Sequence, residues 1–117
     1  MYDEILNCQI VSTKLGEEHG CLTVYIVLEG DGWGVRFGGY CLDHWFAKVG
    51  EHKSPDGYGA VIEIMKTLGV ESWEELKNKY VRAEFEDGKI VKIGHLTKNS
   101  WFSWNEYFAE VRRKHED

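Results

Sequence analysis

Seven aromatic residues fall at the ends of elements and in loops: Trp33, Phe37, Tyr40, Tyr58, Trp101, Phe102 and Trp104. Four arginines accompany them: Arg36, Arg82, Arg112 and Arg113. Exposed rings stack nucleobases at about 1–3 kcal/mol per base. Guanidinium groups take phosphate oxygens two at a time. Any single ring is better explained by core packing, and Arg112 and Arg113 also suit a solvated helix end. As a group, aromatics beside arginines at loop edges fit a nucleotide-like ligand better than a protein-only interface.

A second pattern overlaps the first. Residues 29–42 hold five glycines, three aromatics and Arg36. Glycine weakens a strand, so a glycine-loaded strand marks a bulge, a sharp bend, or the close approach of a ligand or another backbone. Gly30-x-Gly32-x-Gly34 lies between two strands rather than between strand and helix, which fails the dinucleotide context. Residues 54–59 read as a helix start where Gly57 and Gly59 leave amides uncovered, an arrangement that can hold an anion. Asp56 argues against phosphate there and for an ordinary flexible helix start.

Other chemistries have weaker support. His19, His44, His52 and His95 are scattered and follow no metal-ligand spacing. A small hydrolase acting on a cyclic nucleotide could assemble His19, Asp43 and His95, though nothing in the sequence demands it. No Gly-x-Ser-x-Gly elbow occurs. Cys8, Cys21 and Cys41 lie in apolar, strand-like contexts and read as free buried thiols. The expectation is therefore a binding protein with no catalytic residue, no metal and no cofactor.

Bulk properties narrow the class. The chain has 117 residues, 43% of them hydrophobic and 14% aromatic, with a single proline. Those values suit one globular domain spanning residues 1–117. The net charge of −6 argues against a nucleic-acid polymer as partner. Small anions stay compatible, because a few local arginines outweigh a net charge. No apolar run reaches the ~18 residues of a membrane span. The amino terminus lacks the basic region of a signal peptide. A cytoplasmic location is expected.

The elements that would position these residues follow from period and punctuation. Residues 6–15 read as a first strand, rich in Ile, Val and Thr. Residues 16–20 form a turn. Residues 21–28 are almost continuously apolar, which predicts a strand buried on both faces. Asp31-Gly32 is a hairpin turn leading into a strand over 34–42. Residues 43–53 read as a partly ordered loop. Ser54 and Pro55 suit the N-cap and first position of a helix. Ala60, Val61, Ile64, Met65 and Leu68 continue it, and Gly69 suits the C′ position. Ser72 and Glu75 form a capping box for a short second helix.

Asp87-Gly88 joins strands over 79–86 and 89–96. With a two-residue turn, Val81, Ala83, Phe85, Ile90, Lys92 and Gly94 share one face. Tyr80, Arg82, Glu84, Val91, Ile93 and His95 share the other, with Tyr80 opposite His95. A bulge would shift that assignment. Residues 98–102 read as a loop. Ser103 and Glu106 form another capping box, with Phe102 and Tyr107 as a hydrophobic staple. Trp104, Tyr107, Phe108 and Val111 line one face of the last helix. The sum is an α+β fold, with a mainly antiparallel sheet of about five strands and two to three helices on one side.

Several segments together resemble a known group of proteins. They are residues 13–16 with His19-Gly20, Phe37-Gly-Gly-Tyr-Cys-Leu-Asp43, residues 73–76, Tyr80-Val-Arg82, Ile93-Gly-His95 and Trp101-Phe102. This set is similar to small proteins of phages and prophages of Gram-positive bacteria. Within them it resembles the Thoeris anti-defence family of sponges for cyclic ADP-ribose isomers. The resemblance implies a homo-oligomer in the infected cell that binds a small anionic cyclic nucleotide without cleaving it. It implies a pocket of stacking aromatics, an asparagine and arginines. Trp101 or Phe102, Asn99, and Arg112 or Arg113 would meet those types here. Phe37, Tyr40, Tyr58, Arg82 and His95 complete the candidate ligand set. The alternative is a phage-encoded factor that binds a host protein through aromatic anchors.

Overall fold

Two short turn signals organise the chain. Asp31-Gly32 closes a hairpin in which Gly30 faces Trp33, with Gly32 at φ +80°. Asp87-Gly88 closes another in which Glu86 faces Lys89, both turn residues having positive φ (52° and 79°). Paired positive φ values give the turn whose twist matches the strands. The computed structural model describes residues 4–18, 21–41 and 56–116.

The elements are β1 (Glu4–Glu18), β2 (Cys21–Gly30), β3 (Trp33–Cys41), α1 (Asp56–Leu68), a 3-10 turn (Trp73–Leu76), β4 (Tyr80–Glu86), β5 (Lys89–His95), β6 (Trp101–Phe102) and α2 (Trp104–Glu116). The six strands form one sheet in the order β3-β2-β1-β4-β5-β6, and every pairing is antiparallel. The fold is α+β. It has one strand more than the sequence predicts, because Trp101–Phe102 pairs with Ile93 and Gly94 instead of remaining loop. The second predicted helix is a single 3-10 turn.

The sheet coils until its two edges face each other across the core. Phe37 of β3 and Phe102 of β6 belong to opposite edge strands, yet their rings meet edge-on at 6.2 Å. Trp33 at the start of β3 likewise meets Phe85 of β4 at 5.3 Å. Trp104 and Phe108 of α2 close the gap, with Trp104 5.1 Å from Phe102 and 5.6 Å from Phe108. Aromatic pairs of this kind add about 0.5–1.5 kcal/mol each beyond area burial.

Core residues alternate along the strands. Val24, Ile26 and Leu28 of β2 are buried while Tyr25 and Val27 between them are only half-buried. The apolar run of β2 therefore covers one buried face, not two. Across the sheet, Leu6, Ala83, Ile93 and Phe102 form one inward row, and Cys8, Val81 and His95 form the next. Both helices add to the same core: Ala60, Ile64 and Leu68 from α1, and Trp104, Phe108 and Val111 from α2.

The helix ends behave as the caps require. Gly69 has φ +74°, Val70 N–H donates to Met65 O at 3.0 Å, and Gly69 N–H donates to Lys66 O at 3.3 Å. This is the paired C-terminal closure that favours glycine at C′. Ser103 Oγ accepts from Glu106 N–H at 3.3 Å, and the Phe102 and Tyr107 rings lie 5.9 Å apart as a staple. No helix among the described residues is long and apolar enough to cross a membrane.

Candidate functional site

Gly38 of β3 serves the core. Gly38 and Gly39 have φ +104° and +95°, and the register slips there, Tyr25 facing Gly38 while Val24 faces Tyr40. A Cβ on Gly38 would lie 2.7 Å from Val24 O and 3.1 Å from the Trp104 indole nitrogen. The bulge lets α2 place Trp104 against the strand. Arg36 lies over the Tyr25 ring at 4.0 Å, on the face away from the core.

A different glycine builds the candidate site. In β5 the register slips between its pairings with Glu84 and Phe85, since Phe85 faces Ile90 and Glu84 faces Lys92. Val91 is the extra residue of this bulge. The slip moves everything beyond it to the opposite face from that predicted with a simple two-residue turn. Ile93 joins Ala83 in the core, and His95 faces Val81 instead of Tyr80. On the outer face Asn7, Arg82, Gly94 and Trp101 now form one row across four strands.

Gly94 has no side chain, so the Trp101 ring lies directly on it; a Cβ there would sit 2.7 Å from two ring atoms. The Arg82 guanidinium stacks over the same ring, 4.6 Å from its centre. Arg82 also clamps the β5–β6 loop. Its Nε donates to His95 O and its Nη2 to Lys98 O, both at 2.8 Å. Among the described residues, two of its five N–H groups are so used. Trp101 Nε1 donates to Asn99 Oδ1 at 3.1 Å. The His95 ring, on the inner face, accepts at Nδ1 from the Thr97 and Lys98 amides, each at 3.1 Å. Burial, then the charges of Lys98, Lys79 and Arg82, hold its pKa below the ordinary histidine value.

An open groove of about 380 Å³ runs beside this corner, lined by Trp101, Phe102, Ser103 and Tyr107 with Glu63 of α1 and Glu106 and Glu110 of α2. Two of its carboxylates carry partners: Glu106 meets Lys92 at 3.3 Å, and Glu110 meets Arg113 at 3.1 Å. Gly59 of α1 permits the close approach of the Tyr107 hydroxyl that brings the two helices together here.

The structure thus gathers Arg82, His95, Asn99 and Trp101 into one corner. Phe37 and Phe102 are core residues, 3% and 5% exposed, and Phe102 also contributes to the groove's lining. Arg112 and Arg113 are exposed on α2, eight and nine residues beyond its first residue Trp104, or about 12 Å along the axis. The side chains of Tyr40 and Tyr58, and residues His19, His44, His52, Asp43, Ser54 and Pro55, lie outside the described residues. Among the described residues no group of three His, Cys, Asp or Glu is placed to hold a metal ion.

Sequence reasoning missed the groove's three glutamates and Tyr107, whose contribution depends on the α1–α2 contact. The signal at Gly94 was present, a lone glycine in a strand that also holds Ile90, Val91 and Ile93. No protein-family model matches the chain, and neither a curated protein nor a solved structure does so.

Proposed function

We propose that this chain is a binding protein that sequesters a small anionic nucleotide, of the cyclic ADP-ribose type, without cleaving it. The observation that carries the reading is the Trp101 corner: an aromatic wall of a ligand-sized groove with an arginine stacked on the same ring. Pockets of roughly 300–1,000 Å³ are the size of small-molecule sites. The ligand's chemistry divides over the lining. A base stacks on Trp101 or Tyr107, ribose hydroxyls donate to the groove's carboxylates, and a phosphate extends beyond the lining to the Arg82 guanidinium stacked on Trp101. Sequestration asks for affinity and abundance, and needs no group that is stronger in a transition state.

The resemblance to the Thoeris anti-defence sponges supplies the ligand class, and with it the expectation of a homo-oligomer inside the infected cell. Native mass spectrometry of the protein purified from bacteria with an active TIR-domain defence enzyme tests both. A bound mass near that of a cyclic ADP-ribose, released intact on denaturation, is expected. Trp101→Ala should lose that mass while keeping the wild-type circular dichroism spectrum. Retention of the ligand by the variant would remove Trp101 from the site.

A second reading draws on the outer sheet face, where Ile5 and Tyr80 are 51% and 59% exposed. Exposed aromatic and aliphatic side chains of this kind can anchor a protein partner. A ligand-free mass spectrum together with a stable complex in pull-downs from the host would favour it.

A further inference from the structure

We propose that His95 is a proton-operated latch on the Trp101 corner: protonating its imidazole releases the β5–β6 loop and with it the stack of Trp101 and Arg82. The inference goes beyond the proposed function, since it concerns the state of the corner whether or not a nucleotide binds there.

The geometry runs through three linked contacts. Nδ1 faces two backbone amides, Thr97 N–H and Lys98 N–H, so it must be the bare, accepting nitrogen. Those two bonds shape the loop so that Lys98 O meets Arg82 Nη2 at 2.8 Å. They also carry Asn99 to Trp101 Nε1. A second clamp closes the loop from the backbone, His95 N–H to Ser100 O at 3.0 Å. Protonation turns Nδ1 into a donor aimed at two donors, so both loop bonds are lost together. The Thr97 hydroxyl, 3.5 Å from Nδ1, offers the protonated ring one acceptor at the limit of hydrogen-bond range, and it restores neither amide bond.

The surroundings oppose the charged ring. Burial disfavours the charged form most, and the positive charges of Lys98 in the loop, Lys79 just before β4 and Arg82 of β4 add to it. On its other side the ring meets Gly69, just past the end of α1, whose last turn carries Lys66. The negative end of the α1 dipole works the other way, and the carbonyls of Met65 and Lys66 there are already bonded. A group whose charged form is so disfavoured stays neutral near pH 7 and switches below the ordinary histidine value of about 6.5.

The test is a pH titration of the ligand-free protein by nitrogen–proton NMR, with the Trp101 indole signal assigned through Trp101→Phe. The Thr97 and Lys98 amides and the Trp101 indole should move together, at the midpoint of the His95 ring itself. His95→Asn keeps an acceptor where Nδ1 stood and cannot titrate, so in it these three signals should hold still over the same range. Trp101 titration unchanged in His95→Asn overturns the latch. So does a Trp101 signal that stays put while His95 titrates in the wild type, a result that decides the matter even if the variant misfolds. Failure of nucleotide binding leaves this result untouched, because no nucleotide is present.

Discussion

Replacing Gly94 with alanine isolates the contact on which the candidate site is built. The backbone permits it, because Gly94 is not among the described glycines with positive φ. The obstacle is the indole: the new Cβ would sit 2.7 Å from Cδ2 and Cζ3 of Trp101. Ordinary carbon contacts are about 3.5–4.0 Å, so the ring must retreat by roughly 1 Å. Overpacking of this kind costs about 1–3 kcal/mol. Alanine returns about 0.5–1 kcal/mol over glycine inside a strand. The net expectation for Gly94→Ala is a loss of about 1 kcal/mol, within a span of about 0–2.5 kcal/mol. In a Trp101→Ala background the obstacle is gone, and the same substitution should stabilise by about 0.5–1 kcal/mol. Urea unfolding followed by far-ultraviolet circular dichroism measures all four proteins of the cycle. The sign of the Gly94→Ala effect should reverse between backgrounds. An equal effect in both would refute the ring-on-glycine geometry, and the proposed site would lose its foundation.

Core and surface aromatics should separate in the same assay. Phe37→Ala and Phe102→Ala should each cost about 3–5 kcal/mol, since both rings are buried and joined across the sheet edges; wild-type stability in either would contradict the coiled sheet. Glu75 accepts from the Ser72 and Glu71 amides, which lowers its pKa, the Ser72 amide bond contributing most. A lowered folded pKa means stability that is full above the ordinary glutamate value and is lost as pH falls through the folded one. Glu75→Gln should flatten that part of the acid unfolding profile, and an unchanged profile would count against the capping box. Burial raises the Cys8 thiol to about 11. In a Cys21→Ser, Cys41→Ser variant, Cys8 should resist a thiol reagent at pH 8 until denaturant is added, and rapid labelling of the native protein would show the β1 core to be open.

What was legible in the sequence was legible for local reasons. Asp87-Gly88 needs two residues with positive φ, and that requirement is written in the dipeptide. Gly69, Ser72 with Glu75, and Ser103 with Phe102 and Tyr107 each act within about six residues, so capping chemistry reads without a fold. The candidate site was legible only as residue types. Four of its ten ligand candidates, Arg82, His95, Asn99 and Trp101, meet at one corner; Phe37 and Phe102 went to the core because aromatic rings serve both purposes. The two-sided burial expected for β2 failed because a run of Val, Ile and Leu satisfies a half-buried strand as well as a buried one.

By itself, then, the sequence determined the α+β class, the hairpin at 87–88, the caps at Gly69, Ser72 and Ser103 and the inward stripes of both helices, because each follows from neighbours along the chain. Tertiary structure alone decided the rest. The Val91 bulge sent His95 to the inner face and set Arg82, Gly94 and Trp101 in one outer row. Coiling of the sheet set β3 against β6, and the α1–α2 contact at Gly59 completed the groove. A one-residue slip costs little locally and reverses every side chain beyond it, so only the packing of the whole core could choose between the two faces.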